Sequence, residues 1–512
     1  MTNDYIAVID AGTTGLRTMI FDLKGKEIAR DYKEYKSNFP KSSWVEQDAM
    51  DWWDAVKETS KNVFKTSKIN PASILGICVT NQRETIVPVD EKGTPLRKAL
   101  VWQDRRSITE CNWIRNEIGE EKIYDITGLT IDPYFSATKM LWIKNHQPEL
   151  FEKIYKFLLV HDFIEMKLTD EFVTDWSNAS RTMLFDIRKN VWSEELCDQM
   201  GISIDILPRA LPSARNIGQV SPDAAYETGF VKGTPIITGG GDQQCAAVGL
   251  GVIKSGRVKV TTGTGSFVLN FTDNIMKDPE RRVLLSAHAV PGKYVLEASI
   301  FTTGSVFRWF RDSYGIKAKE RAKETGRDPY ELLIEEAEKA PLGAEGVIFI
   351  PHFMGAGAPY WNPYARGVIA GLTLASDRSN VLRALLESVG FEIKKNLEVF
   401  KSLGIDLKEI RITGGGTRST FWNQIQADIF GIPVMKGMTE ESTALGCAVL
   451  GAIGLGIYKN FDVAEKNMIE IREPRSPNLE NTKKYDKIYE LNKKICDLFL
   501  KYKIDEEISR IT

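Results

Sequence analysis

Tyr5-Ile6-Ala7-Val8-Ile9-Asp10-Ala11-Gly12-Thr13-Thr14-Gly15-Leu16-Arg17-Thr18-Met19-Ile20-Phe21-Asp22 decides how this chain is read. Tyr5 to Ile9 is a short, apolar, β-prone run. Asp10 to Gly15 is turn chemistry. Leu16 to Phe21 alternates apolar and polar residues, as a strand with one buried face does. Asp22-Leu23-Lys24-Gly25-Lys26 makes a second turn, and Glu27-Ile28-Ala29 reads as a third strand. The segment predicts a β-meander.

The Gly/Thr turn has chemical possibilities of its own. Successive backbone N–H groups in a tight turn form an anion-binding nest. Thr13 and Thr14 add hydroxyl donors, Arg17 offers a positive charge toward a phosphate, and Asp10 can orient a hydrated Mg²⁺. Taken alone, the turn is equally well a plain hairpin with glycine for positive φ.

The same grammar returns half a chain later. Arg257-Val258-Lys259-Val260 is strand-like, Thr261-Thr262-Gly263-Thr264-Gly265-Ser266 is a Gly/Thr turn, and Phe267-Val268-Leu269-Asn270-Phe271 resumes a strand. The repetition predicts two related domains facing one another, residues 1–250 and 251–512, with the boundary near 246–256. A further strand at Ile410 and Ile412 runs into Gly414-Gly415-Gly416, then a helix through Phe421, Trp422, Ile425 and Ile429 that stops at Gly431. Strand, glycine loop and helix in that order suit a phosphate. Such loops, each directly after a strand, are what a nucleotide clamped between two domains needs.

Leu382, Leu386, Val389, Ile393, Leu397 and Phe400 recur at helical spacing, with Ser379 as the expected cap and Gly404 beyond the end. The C-terminal stretch, rich in Lys and Glu, reads as a solvated helix docked on the second domain.

Composition narrows the classes. Lys plus Arg number 67 against 69 Asp plus Glu, a net charge of −2 over 512 residues, which argues against a nucleic-acid partner and against an acidic tail. The most apolar run, Cys447 to Ile457, is broken by Gly451, Gly454 and Gly456, so no membrane insertion is expected. Met1-Thr2-Asn3-Asp4-Tyr5 carries an acid and runs straight into a strand, unlike a secretory signal. Cys78, Cys111, Cys197, Cys245, Cys447 and Cys496 are scattered without metal-binding spacing and read as reduced thiols of a cytoplasmic protein. The histidines His146, His161, His288 and His352 show no ligand or triad spacing.

Polar clusters beside aromatics follow the strand-like segments. Asn81-Gln82-Arg83-Glu84-Thr85, Trp102-Gln103-Asp104-Arg105-Arg106 and Asp132-Pro133-Tyr134-Phe135 combine hydrogen-bonding groups with flat apolar faces, as polyol recognition requires. Each cluster alone is also what surface ion pairs and core aromatics look like. Asp242 in Gly240-Gly241-Asp242-Gln243-Gln244 follows Pro235-Ile236-Ile237, on what reads as a flexible glycine turn. A carboxylate there can take a hydroxyl proton as a γ-phosphoryl group arrives, or cap the next helix.

Together these residues resemble the FGGY carbohydrate kinases, and among them the glycerol kinases, over nearly the whole chain. The matching motifs are Asp10–Thr14, Trp44–Asp48, Thr80–Thr85, Val101–Arg106, Thr127–Lys139, Asp175–Thr182, Gly241–Gln244, Thr262–Phe267, Gly357–Gly367 and the glycine loop at 414–416. The resemblance implies an α/β fold of two ribonuclease-H-like, actin-type domains flanking a cleft. It implies Arg83, Glu84, Trp102, Tyr134, Asp242, Gln243 and Phe267 as polyol contacts, with Asp242 the general base. Thr13, Thr14, Gly15, Arg17, Thr264, Gly304, Arg308, Gly415 and Ser419 fall at nucleotide-side positions, with ATP and Mg²⁺ as the cofactors. A homodimer or homotetramer is the family's common state.

Some positions depart from the glycerol-kinase pattern. Gly15-Leu16 stands where two serines are usual, Ser419 where Asn is usual, and Arg308 where Gln is usual. Thr238–Asp242, Thr413–Gly416, Trp422–Ile425 and Arg308–Asp312 are more similar to xylulose or autoinducer-2 kinases. Another sugar or polyol (xylulose, ribulose, erythritol or autoinducer-2) is therefore the competing acceptor. An actin-like ATPase without a small acceptor is the competing class.

Overall fold

Tyr5–Ala11 and Gly15–Asp22 pair antiparallel, with Asp10 opposite Arg17 and Ala11 opposite Leu16. The structure, a computed structural model, describes residues 4–511. Met1–Asn3, read above as leading into the first strand, lie outside them. The third strand runs Glu27–Glu34, longer than the predicted Glu27–Ala29. Its side chains alternate half-buried and exposed because it forms the sheet edge. Ile74–Asn81 lies parallel to Tyr5–Ala11 on the other side, Pro235–Gly241 lies parallel to that, and Asn216–Gln219 closes the far edge.

The second sheet repeats this plan. Arg257–Thr262, Ser266–Thr272 and Tyr294–Ile300 form an antiparallel meander, and Glu409–Thr413 and Val434–Lys436 run parallel on the other side of the first of them. Leu284–Ala287 is the added edge. The shared order and strand directions define two ribonuclease-H-like units. The tight turns differ by one residue: Ala11 pairs with Leu16, whereas Thr262 pairs with Ser266.

A four-stranded insert in the first half positions the polyol-type clusters. It contains Glu46–Gln47, Ala99–Leu100, Ile86–Val89 and Lys156–Leu159. Arg83 and Glu84 therefore sit on the short link between Ile74–Asn81 of the main sheet and Ile86–Val89 of the insert. Trp102 leaves the end of Ala99–Leu100.

Two sequence expectations are corrected. Gly240 and Gly241 belong to the strand Pro235–Gly241, not to a flexible turn, and Asp242 opens the helix Asp242–Gly249 directly. The glycines answer to close packing: a Cβ on Gly239 would lie 1.8 Å from the Val79 carbonyl oxygen, and one on Gly241 would lie 2.5 Å from Arg83 Cδ. The long helix runs Arg378–Ser402 and its cap is Asp377, not Ser379. Asp377 accepts from the N–H of Ser379 (2.8 Å), and Asn380 closes a capping box by accepting from the Asp377 N–H (2.8 Å).

Elsewhere the local signals hold. Thr420–Phe430 ends with Gly431 at φ 64°, a left-handed cap. Leu479–Lys501 buries Tyr485 and Tyr489 in the second half's core, where Arg383 donates to the Tyr485 hydroxyl (2.7 Å). The six cysteines are free and buried. No helix among the described residues is long and apolar enough to cross a membrane.

The halves meet through the helices Asp242–Gly249 and Ser442–Gly454. Ile6 and Val8 of the first sheet share one apolar cluster with Val248, Ala444, Val449 and Leu450 of these helices. The helix backbones touch closely. A Cβ on Gly249 would sit 1.9 Å from the Ser442 carbonyl oxygen, and one on Gly446 would sit 1.8 Å from that of Cys245. Gly446→Ala should therefore force the helices apart and destabilise the fold by about 1–3 kcal/mol, as overpacking does. Thermal and urea unfolding check this, and a midpoint equal to the wild type would refute the close-contact reading.

Candidate functional site

Glu84 holds a left-handed backbone at φ 63°, uncommon for a side-chain-bearing residue. That kink, closed by a Thr85 N–H to Arg83 carbonyl bond (2.8 Å), turns successive side chains into the space between the halves. Arg83 and Glu84 are both buried. Arg83 donates both terminal nitrogens to Glu297 of the second half (2.8 and 2.7 Å), and its Nε lies 3.5 Å from Asp242. Arg181 Nε donates to Glu84 (2.6 Å), and Arg181 Nη1 approaches Glu297 at 3.5 Å.

The network shifts the carboxyl groups unequally. Burial opposes ionisation of Glu297, but Arg181 and Arg83 more than offset it and hold its pKa down to about 2. Burial raises Glu84 above the ordinary carboxylate range against the pull of Arg83 and Arg181. Lys259, on the strand Arg257–Thr262, is also fully buried; burial pushes its amine down to about 7, with Asp242 and Glu297 pulling the other way.

Aromatic residues flank the same network. Trp102 and Tyr134 meet edge to face at 5.6 Å, and the Arg181 guanidinium lies 5.6 Å from the Tyr134 ring centre. Trp102 Nε1 donates to Thr13 Oγ1 (3.0 Å), tying this side to the first Gly/Thr loop. Asp242 and Gln243 are half-buried in the first turn of their helix, and Asp242 accepts from the Gln243 N–H (2.7 Å). Phe267 is half-buried on the strand Ser266–Thr272, opposite Ser299.

The residues expected on the nucleotide side lie on more open loops. Thr14, Thr264, Arg308 and Gly415 are exposed. In the first loop Gly12 N–H donates to the Gly15 carbonyl (3.0 Å), and the Tyr35 hydroxyl binds the Gly12 carbonyl. The departure at Gly15 has a physical cause, since a Cβ there would meet the Tyr32 hydroxyl at 2.5 Å and the Lys33 carbonyl at 2.6 Å. In the second loop Gly263 N–H donates to Gly265 (2.9 Å), while Gly304 N–H returns to Gly263 (3.0 Å) and Ser305 N–H to Thr264 (3.0 Å). The helix Gly304–Tyr314 thus begins on the loop, with Arg308 one turn along it. The Gly414 loop rests on Thr262, where a Cβ on Gly414 would fall 2.4 Å from its carbonyl oxygen. Ser419 caps the helix Thr420–Phe430 by accepting from the Trp422 N–H (3.1 Å).

Arg17 is differently engaged from the sequence expectation. Its guanidinium pairs with Glu441 of the second half, which also takes Arg30 (2.7 Å). Burial pushes Asp10 up to about 7, with Arg17 opposing the rise and Asp242 and Glu441 adding to it. Arg17 relieves that burial only in part. No group of three or more His, Cys, Asp and Glu side chains that could hold a metal forms among the described residues. Asp10 is one carboxylate of the kind that a largely hydrated Mg²⁺ takes alongside substrate phosphates.

Sequence reasoning missed Glu297, Arg181, Lys259 and Glu441. A signal for one of them was present: Glu297 is a charged residue inside an otherwise largely apolar strand.

Comparison with known proteins gives the family. Residues 5–249 match the N-terminal domain, and residues 258–455 the C-terminal domain, of the FGGY family of carbohydrate kinases. The chain belongs to that family. It is 37% identical over 510 residues to a glycerol kinase of Caldanaerobacter subterraneus subsp. tengcongensis, covering 97% of this chain and 99% of that protein. A ligand-bound xylulose kinase from Lactobacillus acidophilus superposes with TM-score 0.90 at 25% identity, covering 97% of this chain and 98% of that one. Plasmodium falciparum glycerol kinase with ADP superposes with TM-score 0.86 at 28% identity, covering 96% and 98%.

Glu297→Gln should leave two buried guanidinium groups short of a counter-charge and cost about 3–5 kcal/mol of stability. The sign with pH follows from its depressed pKa. The Glu297 contribution is present above the ordinary value of 4.5 and is lost as pH falls toward 2. Urea unfolding across that range should show a steeper acid loss in the wild type than in the variant; parallel curves would contradict the assignment.

Proposed function

We propose that this kinase transfers the γ-phosphoryl group of ATP to glycerol, giving sn-glycerol 3-phosphate. The observation that carries the reading is the gathering of Arg83, Glu84, Trp102, Tyr134, Asp242 and Gln243 at one junction, beside the first Gly/Thr loop. Glycerol kinases among its relatives, at 37% identity over nearly the full length, support the same acceptor. We take residues 1–250 as the polyol-binding domain with the first phosphate loop, and 251–512 as the nucleotide-binding domain.

In this reading Trp102, Tyr134 and Phe267 pack on the C–H edges of the acceptor, while Arg83, Glu84 and Gln243 meet its hydroxyls. Asp242 aligns the terminal hydroxyl and accepts its proton as the phosphoryl group arrives. Thr13, Thr14 and Gly15 approach the phosphates from one side. Thr264, Gly304 and Gly415 approach from the other, with Arg308 and Ser419 farther along the nucleotide. Arg17 reaches the phosphates only by leaving Glu441. Asp10 would hold a hydrated Mg²⁺, which would supply charge neutralisation at the phosphates when bound. A cytoplasmic location and assembly as a homodimer or homotetramer belong to the same reading, and light scattering tests the latter.

A xylulose-type acceptor is the second reading, favoured by the fit to the Lactobacillus xylulose kinase. A coupled ADP-release assay with glycerol, dihydroxyacetone, xylulose, ribulose, erythritol and no acceptor separates them. Strongest saturable turnover is expected with glycerol. Preference for a pentulose would replace the acceptor, and equal ADP release without acceptor would favour an ATPase.

Asp242→Asn should lower kcat by ~10²–10⁴-fold, the usual share of general-base help, with acceptor KM little changed. A normal kcat would remove Asp242 from that role. Asp10→Asn should raise the Mg²⁺ concentration needed for half-maximal rate; an unchanged Mg²⁺ titration would count against the Asp10 assignment.

A further inference from the structure

Lys259 lies on the second half, yet its hydrogen bonds go to one residue of the first. Its Nζ donates to the Gln243 side-chain carbonyl oxygen (2.6 Å) and to the Gln243 backbone carbonyl (3.2 Å). Lys259 thus holds both the side chain and the backbone of Gln243. The lysine is fully buried, on a strand where it pairs with Leu269 and with Arg411.

We infer that Lys259 is a positioning residue for the acceptor: it fixes the Gln243 carboxamide so that its NH₂ faces the substrate. The 2.6 Å bond runs from Lys259 Nζ to the amide oxygen, and the protonated amine, which has donors only, holds the amide in that orientation. The NH₂ is then left to the space beside Asp242, where it donates to an acceptor oxygen. A free glutamine offers either end and discriminates less, because an NH₂ and a carbonyl accept opposite partners. The strand carrying Lys259 continues into the Gly263–Gly265 loop. The element that carries a phosphate loop therefore also sets the acceptor's hydrogen bond.

The inference rests on the kinase reading, so its test uses whichever acceptor the wild type turns over fastest. Lys259→Met keeps the aliphatic stem and removes the donors. It should raise the acceptor KM about tenfold, the order expected when a buried acceptor atom loses its partner, with a smaller change in kcat and in the MgATP KM. Gln243→Ala should give a similar rise. In the Gln243→Ala background, Lys259→Met should then cost nothing further, because Lys259 acts through Gln243. Lys259→Arg retains donors and should recover part of the acceptor KM; carried through the same cycle, it decides the matter if the methionine variant does not fold. Losses that add in the double variant, or a MgATP KM that moves as far as the acceptor KM, would overturn the inference alone. Absence of acceptor-dependent turnover in the wild type would instead remove the kinase reading, and this inference with it.

Discussion

Glu297 is a carboxylate in the middle of a strand whose every residue is buried. An ion there costs several kcal/mol to desolvate unless opposite charge and hydrogen bonds surround it. Arg83 answers with a two-point bond and Arg181 with a longer contact. Both arginines come from the other half of the chain. Once placed, Arg181 holds Glu84, and Arg83 lies beside Asp242. The orientation of Arg83, Glu84 and Arg181 in the first half is therefore set by a charge on the second. Removing the charge would leave those residues present but unaimed.

The two ribonuclease-H-like sheets supply matched turns, but they are not interchangeable. The first turn is one residue longer and lies under Tyr32, which excludes any side chain at Gly15. The second turn is tied to the start of a helix through Gly304. Under the proposed reading a phosphate held between them would meet backbone donors on both sides, with surroundings that differ mainly in what lies behind each loop. The insert of the first half breaks the symmetry further by placing Trp102 against Thr13, so that the acceptor wall and the phosphate loop form one unit.

Much of this was legible in the sequence because it is local. Strand–Gly/Thr–strand patterns, the Gly431 stop and the clusters after strand ends all rest on neighbours within a few residues. What escaped depends on distant partners. Gly239 to Gly241 look like a turn until the Val79 backbone and Arg83 are packed against them. Asp377 and Ser379 are both good caps, and only the helix geometry chooses Asp377. Arg83 and Glu297 are 214 positions apart, so nothing near either one announces the other. Arg17 reads as a phosphate ligand from its loop, and its pairing with Glu441 appears only when the second half is in place.

The helix pair at the centre of the molecule has a mechanical side. Interlocked side chains resist rotation, because turning one helix requires its neighbour's rotamers to rearrange. At Gly249 and Gly446 the two backbones instead touch with no side chain between them. The separation of the halves is therefore fixed there by two backbones alone, and any side chain added at either glycine would act as a wedge between them.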